Sequence, residues 1–555
     1  MVALSINGQT TSAPVGASLF DCAEQAGVRV PTSCLKNGKC KECVVEVAEG
    51  MECLSAPTSY ESHLAGNFRL SCQASIAAGE GYLRCHTMRR GRMRIERQAL
   101  GLPSSGRPMD LDPAVTRDGE RILIDGVEIE CSNGPIYGIA MDLGTTTVVL
   151  RLLDLETGEM MADSSFENPQ RFGGSDIMAR IQYDTDHPNK LLRRTLAGYL
   201  THAIEELPVD PKSIYEMVVV GNSTMRDLFF RQSVYSIGQS PYRSITELDM
   251  AAGKRASTSL VETGRRCLLP IHPKARVYGA PIISGHVGAD AAACMLATDI
   301  GHEDRIVAIM DIGTNTELIV GNRRRILAAS CPAGPAFEGG AIACGMPALD
   351  GAVEQVRLSD GNFQLTVIGD TAPQGICGSG LVSLLSELLR TGRMNDRGRF
   401  EEDGHRIELD AANGIYFLES DVNELAQAKG ANVAGLRVVF SQYGIDFGQA
   451  GVFYLAGGFG RHLNLDAARR IGLIPPVPDG RIVQIGNAAI EGATMALLSK
   501  SKRAELEALV RRVEHCRLET HPQFFDFFVD GCQFQAIAEP RPHSLLGEQG
   551  SGAFR

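Results

Sequence analysis

YGIAMDLGTTTVVLRLLD at residues 137–154 and RIVAIMDIGTNTELIVGN at residues 305–322 decide how this chain is read. Each is an apolar, β-rich run that ends on an aspartate, turns through Gly-Thr and continues as a second strand-like run. Asp142 and Asp311 are 169 residues apart, a separation suited to duplicated domains and far too long for a solenoid repeat. From residue 136 onward, β-rich runs alternate with helical stretches and glycine turns, which is the pattern of α/β architecture. Residues 136–304 and 305–540 are therefore expected to form two related lobes, followed by a loose, turn-rich tail at 541–555.

The same turns carry chemistry. Backbone amides and hydroxyls of Gly144, Thr145 and Thr146 in one copy, and of Gly313, Thr314 and Asn315 in the other, can face phosphate oxygens. Asp142 and Asp311 can hold Mg²⁺ directly or through water. One Asp-x-Gly-Thr also makes an ordinary hairpin; two copies in matching contexts favour a nucleotide site. YLAGGFG at residues 454–460 places Gly457, Gly458 and Gly460 after an apolar strand, where an adenosine can approach the backbone without meeting a Cβ. GICGSG at residues 375–380 opens a helical run, so Gly378 and Ser379 read either as a phosphate-facing helix N-terminus or as a tight helix–strand contact.

Residues 1–86 form a different unit: a hairpin, a short helix ending at Gly27, and a strand over ECVVEVAEG. Here Cys34, Cys40 and Cys43 follow C-x5-C-x2-C, and Cys72 returns in RLSCQ. Four thiolates in this order suit a [2Fe–2S] cluster, although tetrahedral zinc accepts the same donors and Cys53 rivals Cys72 as the fourth. Cys22 and Cys85, like Cys331, Cys344 and Cys377 further on, read as packing thiols, and Cys516 and Cys532 are too dispersed for a second cluster. An arginine run, a Pro/Gly/Ser stretch and the strand-like RILIDGVEIE mark residues 87–135 as a linker with some local structure. Such a linker implies a cluster domain able to move; its arginines read as a solvated face or as a contact for an acidic partner.

With 555 residues, 44% hydrophobic and 22% charged, the chain is too long for one core and is neither disordered nor membrane-like in composition. A net charge of -12 argues against a nucleic-acid partner. MVALSINGQTTSAPVG has no export pattern and no apolar run is long enough to span a membrane, so a cytoplasmic location with reduced thiols and no membrane partner is expected.

The order of motifs resembles the acetate and sugar kinase, heat-shock ATPase and actin superfamily, with VVVGNSTM at 218–225 and GNAAIEGA at 486–493 in the places of the segments connecting the lobes. Joined to the cysteine set, it resembles the reductive activators of corrinoid proteins. ENPQRFGGSDIMARI (167–181), SGHVGADAAACML (284–296), CPAGPAFEGGAIACGM (331–346) and DVNELAQAKGA (421–431) carry that likeness. The resemblance implies an α/β multidomain protein: an N-terminal β-grasp [2Fe–2S] ferredoxin-like domain, a linker, and a two-lobed actin-like ATPase with a duplicated α/β core. It implies one-electron reduction of inactive Co(II) corrinoid to Co(I), with ATP, Mg²⁺, a corrinoid protein of a methyltransferase system and a low-potential electron donor as cofactors and partners, and a homodimer. A small-molecule kinase with an accessory redox domain and an ATP-regulated redox-sensing protein are the competing readings. Glu338 reads as a water-orienting group or a helix-start carboxylate; His286 and Asp290 read as a hydrogen-bonded structural pair or as contacts to metal or nucleotide.

Overall fold

The computed structural model describes residues 1–89, 102, 109–187, 189–359, 361–369, 371–401, 404–458 and 463–538. The arginines at 90, 92, 94 and 97, Gly460 and the tail at 541–555 lie outside the described residues.

The chain begins with strand Val2–Ile6, which turns through Asn7-Gly8, both at positive φ, into strand Gln9–Ala13. Asn-Gly is the pair that a tight hairpin demands. Helix Leu19–Gln25 starts where the Ser18 hydroxyl accepts the Asp21 amide at 3.1 Å, and it buries Leu19, Phe20, Cys22 and Ala23. Strands Val44–Glu49, Phe68–Leu70 and Tyr82–Thr87 complete a five-stranded sheet in which Tyr82–Thr87 runs parallel to Val2–Ile6 and antiparallel to Val44–Glu49. This is a β-grasp unit.

Strands Val115–Asp118, Arg121–Ile124 and Val127–Cys131 make a three-stranded antiparallel meander within the segment read as a linker. Val115 and Ile122 are buried in the core that the two lobes share, so residues 115–131 are packed structure.

The lobes repeat one topology. In the first, antiparallel strands Tyr137–Leu143, Thr147–Asp154 and Met160–Glu167 continue into parallel strands Ile214–Gly221 and Arg276–Gly279, edged by Leu260–Thr263. In the second, Val307–Ile312, Thr316–Gly321 and Ile326–Cys331 continue into Val452–Ala456 and Ile482–Gly486, with Val513–His515 on the far edge. Every residue of Ile214–Gly221 is buried, as a parallel strand covered on both faces requires. After its last parallel strand, each lobe sends an apolar helix to the boundary, Ala289–Ala297 and Ala488–Leu498. The two cross so closely that a Cβ on Gly492 would lie 2.1 Å from the Ala293 carbonyl. The connecting segment of the first half is therefore SGHVGADAAACML, whereas VVVGNSTM occupies the fourth strand position, equivalent to Val452–Ala456. That corrects the expectation for 218–225, and GNAAIEGA holds the place expected of it.

The β-grasp unit is seated on the first lobe. Arg194 of helix Leu191–Glu205 donates to Glu42 at 2.8 Å and to the Cys40 carbonyl, and Arg171 pairs with Glu46. Arg29 and Arg89 pair with Glu205 and Glu206, and the Met88 amide donates to the Tyr199 hydroxyl at 3.0 Å. Apolar residues of the unit and of the lobe form one continuous buried cluster.

Candidate functional site

At the cluster end, residues 34–43 form a loop with Leu35, Lys36, Gly38 and Lys41 at positive φ. The Cys43 and Cys72 sulfurs lie 3.3 Å apart, tied by the Ser71 amide donating to the Cys43 carbonyl at 2.9 Å. Cys34 and Cys40 form the second pair, close enough that each thiol acts on the other's proton. Among the described residues no three of these thiols lie within 4.8 Å of one another. Tetrahedral zinc would hold its sulfurs about 3.8 Å apart in every pair, given a Zn–S length of about 2.3 Å. Two separate pairs instead match two irons with two thiolates each, so the donor set fits a [2Fe–2S] cluster. Contact with the Cys43 thiol draws the Cys72 thiol down to about 6, while that contact and burial push Cys43 well above the usual thiol range. Cys53 lies elsewhere, 3.9 Å from the Tyr82 carbonyl.

In the cleft, Asp142 and Asp311 end equivalent strands. The Asn487 amide, capping helix Ala488–Leu498, donates to Asp142 at 2.7 Å, and the Cys294 thiol lies 3.3 Å from Asp311. Asn222, capping helix Ser223–Phe229, donates to Thr145 at 2.8 Å, and Asn168 donates to the Gly144 carbonyl at 2.8 Å. The Gly144 amide donates to the Thr147 carbonyl at 2.9 Å, and the Gly313 amide donates to the Asn315 carbonyl at 3.1 Å. The two phosphate motifs meet: Thr146 lies 2.7 Å from Thr314, and the Glu338 carboxylate accepts from both hydroxyls, from Thr146 at 2.8 Å.

Burial pushes Asp142 and Asp290 up to about 7 and Asp311 up to about 6, and raises Glu317 further. Repulsion among these carboxylates adds to the rise in Asp142, Asp290 and Glu317. Among the described residues no three of these four carboxylates bring their oxygens within 4.8 Å of one another, so a hard divalent cation between them would be held in part through its waters. Asp290, one of whose readings from the sequence is a contact to metal or nucleotide, joins this group, and so does Glu317, for which no motif speaks. Glu317 hides in a strand and is found only from its register partner Asp311. Asp290 does not pair with His286, as expected of a structural pair; His286 lies 3.3 Å from the Ile237 carbonyl, and Asp290 faces the other carboxylates.

Gly457 sits at φ 99°, and a Cβ there would lie 2.3 Å from the Ile312 carbonyl and 3.0 Å from Asp311, so the glycine lets the two turns close together. Gly458 has open space around it. Gly378 and Ser379 begin helix Gly378–Arg390, where a Cβ on Gly380 would lie 2.1 Å from the Val353 carbonyl. Tight helix–strand packing thus accounts for Gly380, and among the described residues Ser379 makes no hydrogen bond to either phosphate motif.

Comparison with known proteins places this geometry. Residues 4–77 match the 2Fe–2S iron-sulfur cluster binding domain, 137–303 the RACo middle region, and 305–543 the C-terminal domain of RACo, the ASKHA domain. The chain is 33% identical over 446 residues to the corrinoid activation enzyme RamQ of Eubacterium limosum, covering 75% of this chain and 73% of that one. It is 24% identical over 422 residues to the [Co(II) methylated amine-specific corrinoid protein] reductase of Methanosarcina barkeri, covering 71% and 76%. A solved reductive activator for corrinoid, iron-sulfur protein superposes with a TM-score of 0.71 at 26% identity, over 96% of this chain and 98% of that one. No helix among the described residues is long and apolar enough to cross a membrane. Cysteine pairs on a β-grasp unit, joined to a duplicated two-lobed core along nearly the whole of a solved activator, place this chain in the family of reductive activators of corrinoid proteins.

Proposed function

We propose that this protein reduces the Co(II) form of a corrinoid protein to Co(I), one electron at a time, with MgATP bound between its lobes. The observation that carries the reading is the union, in one chain, of two thiol pairs fit for a [2Fe–2S] cluster and two phosphate motifs brought into contact at Thr146 and Thr314. When bound, the cluster supplies a one-electron carrier. Cys34, Cys40, Cys43 and Cys72 hold it; Gly144, Thr145, Thr146, Gly313, Thr314 and Asn315 cradle phosphates; Gly457 and Gly458 leave room for the adenosine. Asp142 and Asp311, with Asp290 and Glu317 beside them, hold Mg²⁺ or its waters, which offsets the repulsion that otherwise keeps protons on these groups. Nucleotide shifts the protein between states only by binding one better than the other, and lobe closure about the Gly492–Ala293 crossing is the movement that would change its contacts. A low-potential donor reloads the cluster domain, and a homodimer is the assembly we assign.

The test mixes reduced full-length protein, a Co(II) corrinoid protein and MgATP while the Co(II) and Co(I) spectra are followed. Co(I) should accumulate only with both nucleotide and reduced cluster present. Equal Co(I) formation without nucleotide would remove ATP from the reading.

A further inference from the structure

Asn168 anchors the first phosphate motif, and the residues that follow it are buried without the partners such groups normally have. Gln170 is fully buried, and among the described residues neither atom of its side-chain amide has a hydrogen-bond partner. Arg180, in the first turn of helix Ile177–Asp186, is 1% exposed. Its Nε donates to the Gly174 carbonyl at 3.0 Å, which fixes the stem of the side chain. The guanidinium end donates to the Met225 sulfur at 3.1 Å, and among the described residues no carboxylate lies within ion-pair distance of it, Asp176 and Glu167 acting on its charge from farther off. The same sulfur lies 3.8 Å from the Asn168 amide, so the guanidinium connects to the phosphate turn through Met225 and Asn168. Glu338, from the other lobe, is near enough for its charge and that of Arg180 to act on each other.

A buried guanidinium whose carboxylates all stand beyond ion-pair distance is costly, and a buried amide with no partner adds to the cost. Two such groups on neighbouring elements, linked to one phosphate turn and facing the junction of the lobes, call for an anionic, oxygen-rich ligand. Gly457 lies against Asp311 and Thr146 against Thr314, so a nucleotide with its adenosine over the Gly457–Gly458 turn would carry its phosphates past these two threonines.

We propose that Arg180 is a catalytic arginine that receives the terminal phosphate of ATP, with Gln170 and Glu338 ordering the water that attacks it; this rests on the nucleotide reading above. In that step the water oxygen bonds to the γ-phosphorus while the bond to the β,γ-bridging oxygen breaks. The bond's electron pair leaves with ADP, and a water proton passes to the Glu338 carboxylate. The guanidinium fork neutralises charge on the γ-oxygens as it redistributes, the role an arginine supplied in cis plays in other phosphoryl transfers. Burial also draws the Arg180 guanidinium down to about 9, a strain that a bound phosphate would relieve.

Full-length Arg180→Met and Arg180→Lys are compared with the unaltered chain for ADP and ATP binding, ATP turnover and thermal unfolding without nucleotide. Arg180→Met should lower kcat about 1,000-fold. It should leave ADP affinity within about twofold, abolish the preference for ATP over ADP, and melt no lower than the parent, because it removes a buried charge that has no direct ion pair. Arg180→Lys should keep part of the ATP preference. Gln170→Leu gives a variant independent of the arginine, expected to lower kcat about tenfold or more with KM little changed. Turnover of Arg180→Met within threefold of the parent, or a lower melting point with the ATP preference intact, would overturn the assignment and leave nucleotide binding standing. A parent chain that binds neither ATP nor ADP would overturn the nucleotide reading itself.

Discussion

The cluster loop and the nucleotide cleft are built by opposite means. The loop draws its four thiols from residues 34–72 of one small sheet domain, and spacing alone orders them. The cleft gathers Asp142, Asn168, Asn222, Asp290, Asp311, Glu338, Gly457 and Asn487 from both lobes, so it exists only when the whole duplicated core has folded. A locally specified site fails one residue at a time and leaves the rest of the molecule intact. A distributed site is tuned by neighbours far away in sequence.

The largest expected effect tests that separation from the cluster side. Cys43→Ala or Cys72→Ala should abolish the EPR signal of the reduced protein and halve or eliminate bound iron, with nucleotide affinity unchanged within about twofold. Cys53→Ala should keep both signal and iron; the reverse pattern would transfer the fourth ligand to Cys53. From the cleft side, Asp311→Ala should lower ATP turnover 100-fold or more while the reduced-cluster spectrum stays as it was, since the carboxylate places charge and metal rather than the cluster. Turnover retained in both Asp142→Ala and Asp311→Ala would dismantle the cleft as drawn.

The third effect is a pH dependence. Asp142, Asp290 and Asp311 have folded-state values raised to about 7, 7 and 6 from 3.8, so between pH 4 and 7 the folded protein binds more protons than the unfolded chain. Their contribution to stability is full below about pH 4 and is lost as pH rises through about 7. In EDTA the melting temperature should therefore fall from pH 5 to pH 8 by more in the parent chain than in Asp290→Asn, and Mg²⁺ should shrink the difference. A steeper fall in the variant would show that Asp290 stands outside the carboxylate group. Gly492→Ala should cost about 1–3 kcal/mol by overpacking the helix crossing, read by denaturant unfolding. Smallest is Arg171→Gln, at under about 1 kcal/mol at low salt and less at high salt, because its pair with Glu46 is partly solvated.

Cysteine spacing, the duplicated Asp-Gly-Thr turns and the glycines after Leu455 announced both the β-grasp unit and the two-lobed core, because each is a short-range pattern with one physical cause. Asp290 reads from the sequence as a partner of His286 or as a contact to metal or nucleotide, and nothing local shows that its helix crosses between the lobes. Glu317 and Asn487 were invisible as site residues because register and a helix cap in the opposite lobe put them there. VVVGNSTM and SGHVGADAAACML both look like a strand end followed by a small-residue helix, and only the sheet order tells which continues to the interlobe boundary. The 87–135 stretch reads as a linker from its composition, while the burial of Val115 and Ile122 comes from surfaces supplied by other segments.

Arg171 pairs with Glu46 of the β-grasp sheet on one side and with Glu167 on the other, at 2.9 Å, and Glu167 immediately precedes the asparagine that holds the first phosphate turn. The redox unit and the nucleotide turn are thus joined through the Arg171 guanidinium, the Glu167 carboxylate, one peptide bond and the Asn168 side chain. Thermodynamic reciprocity applies to such a joint: whatever free energy nucleotide spends on moving residue 168 relative to the Arg171 clasp is the same free energy by which release of the redox unit alters nucleotide affinity.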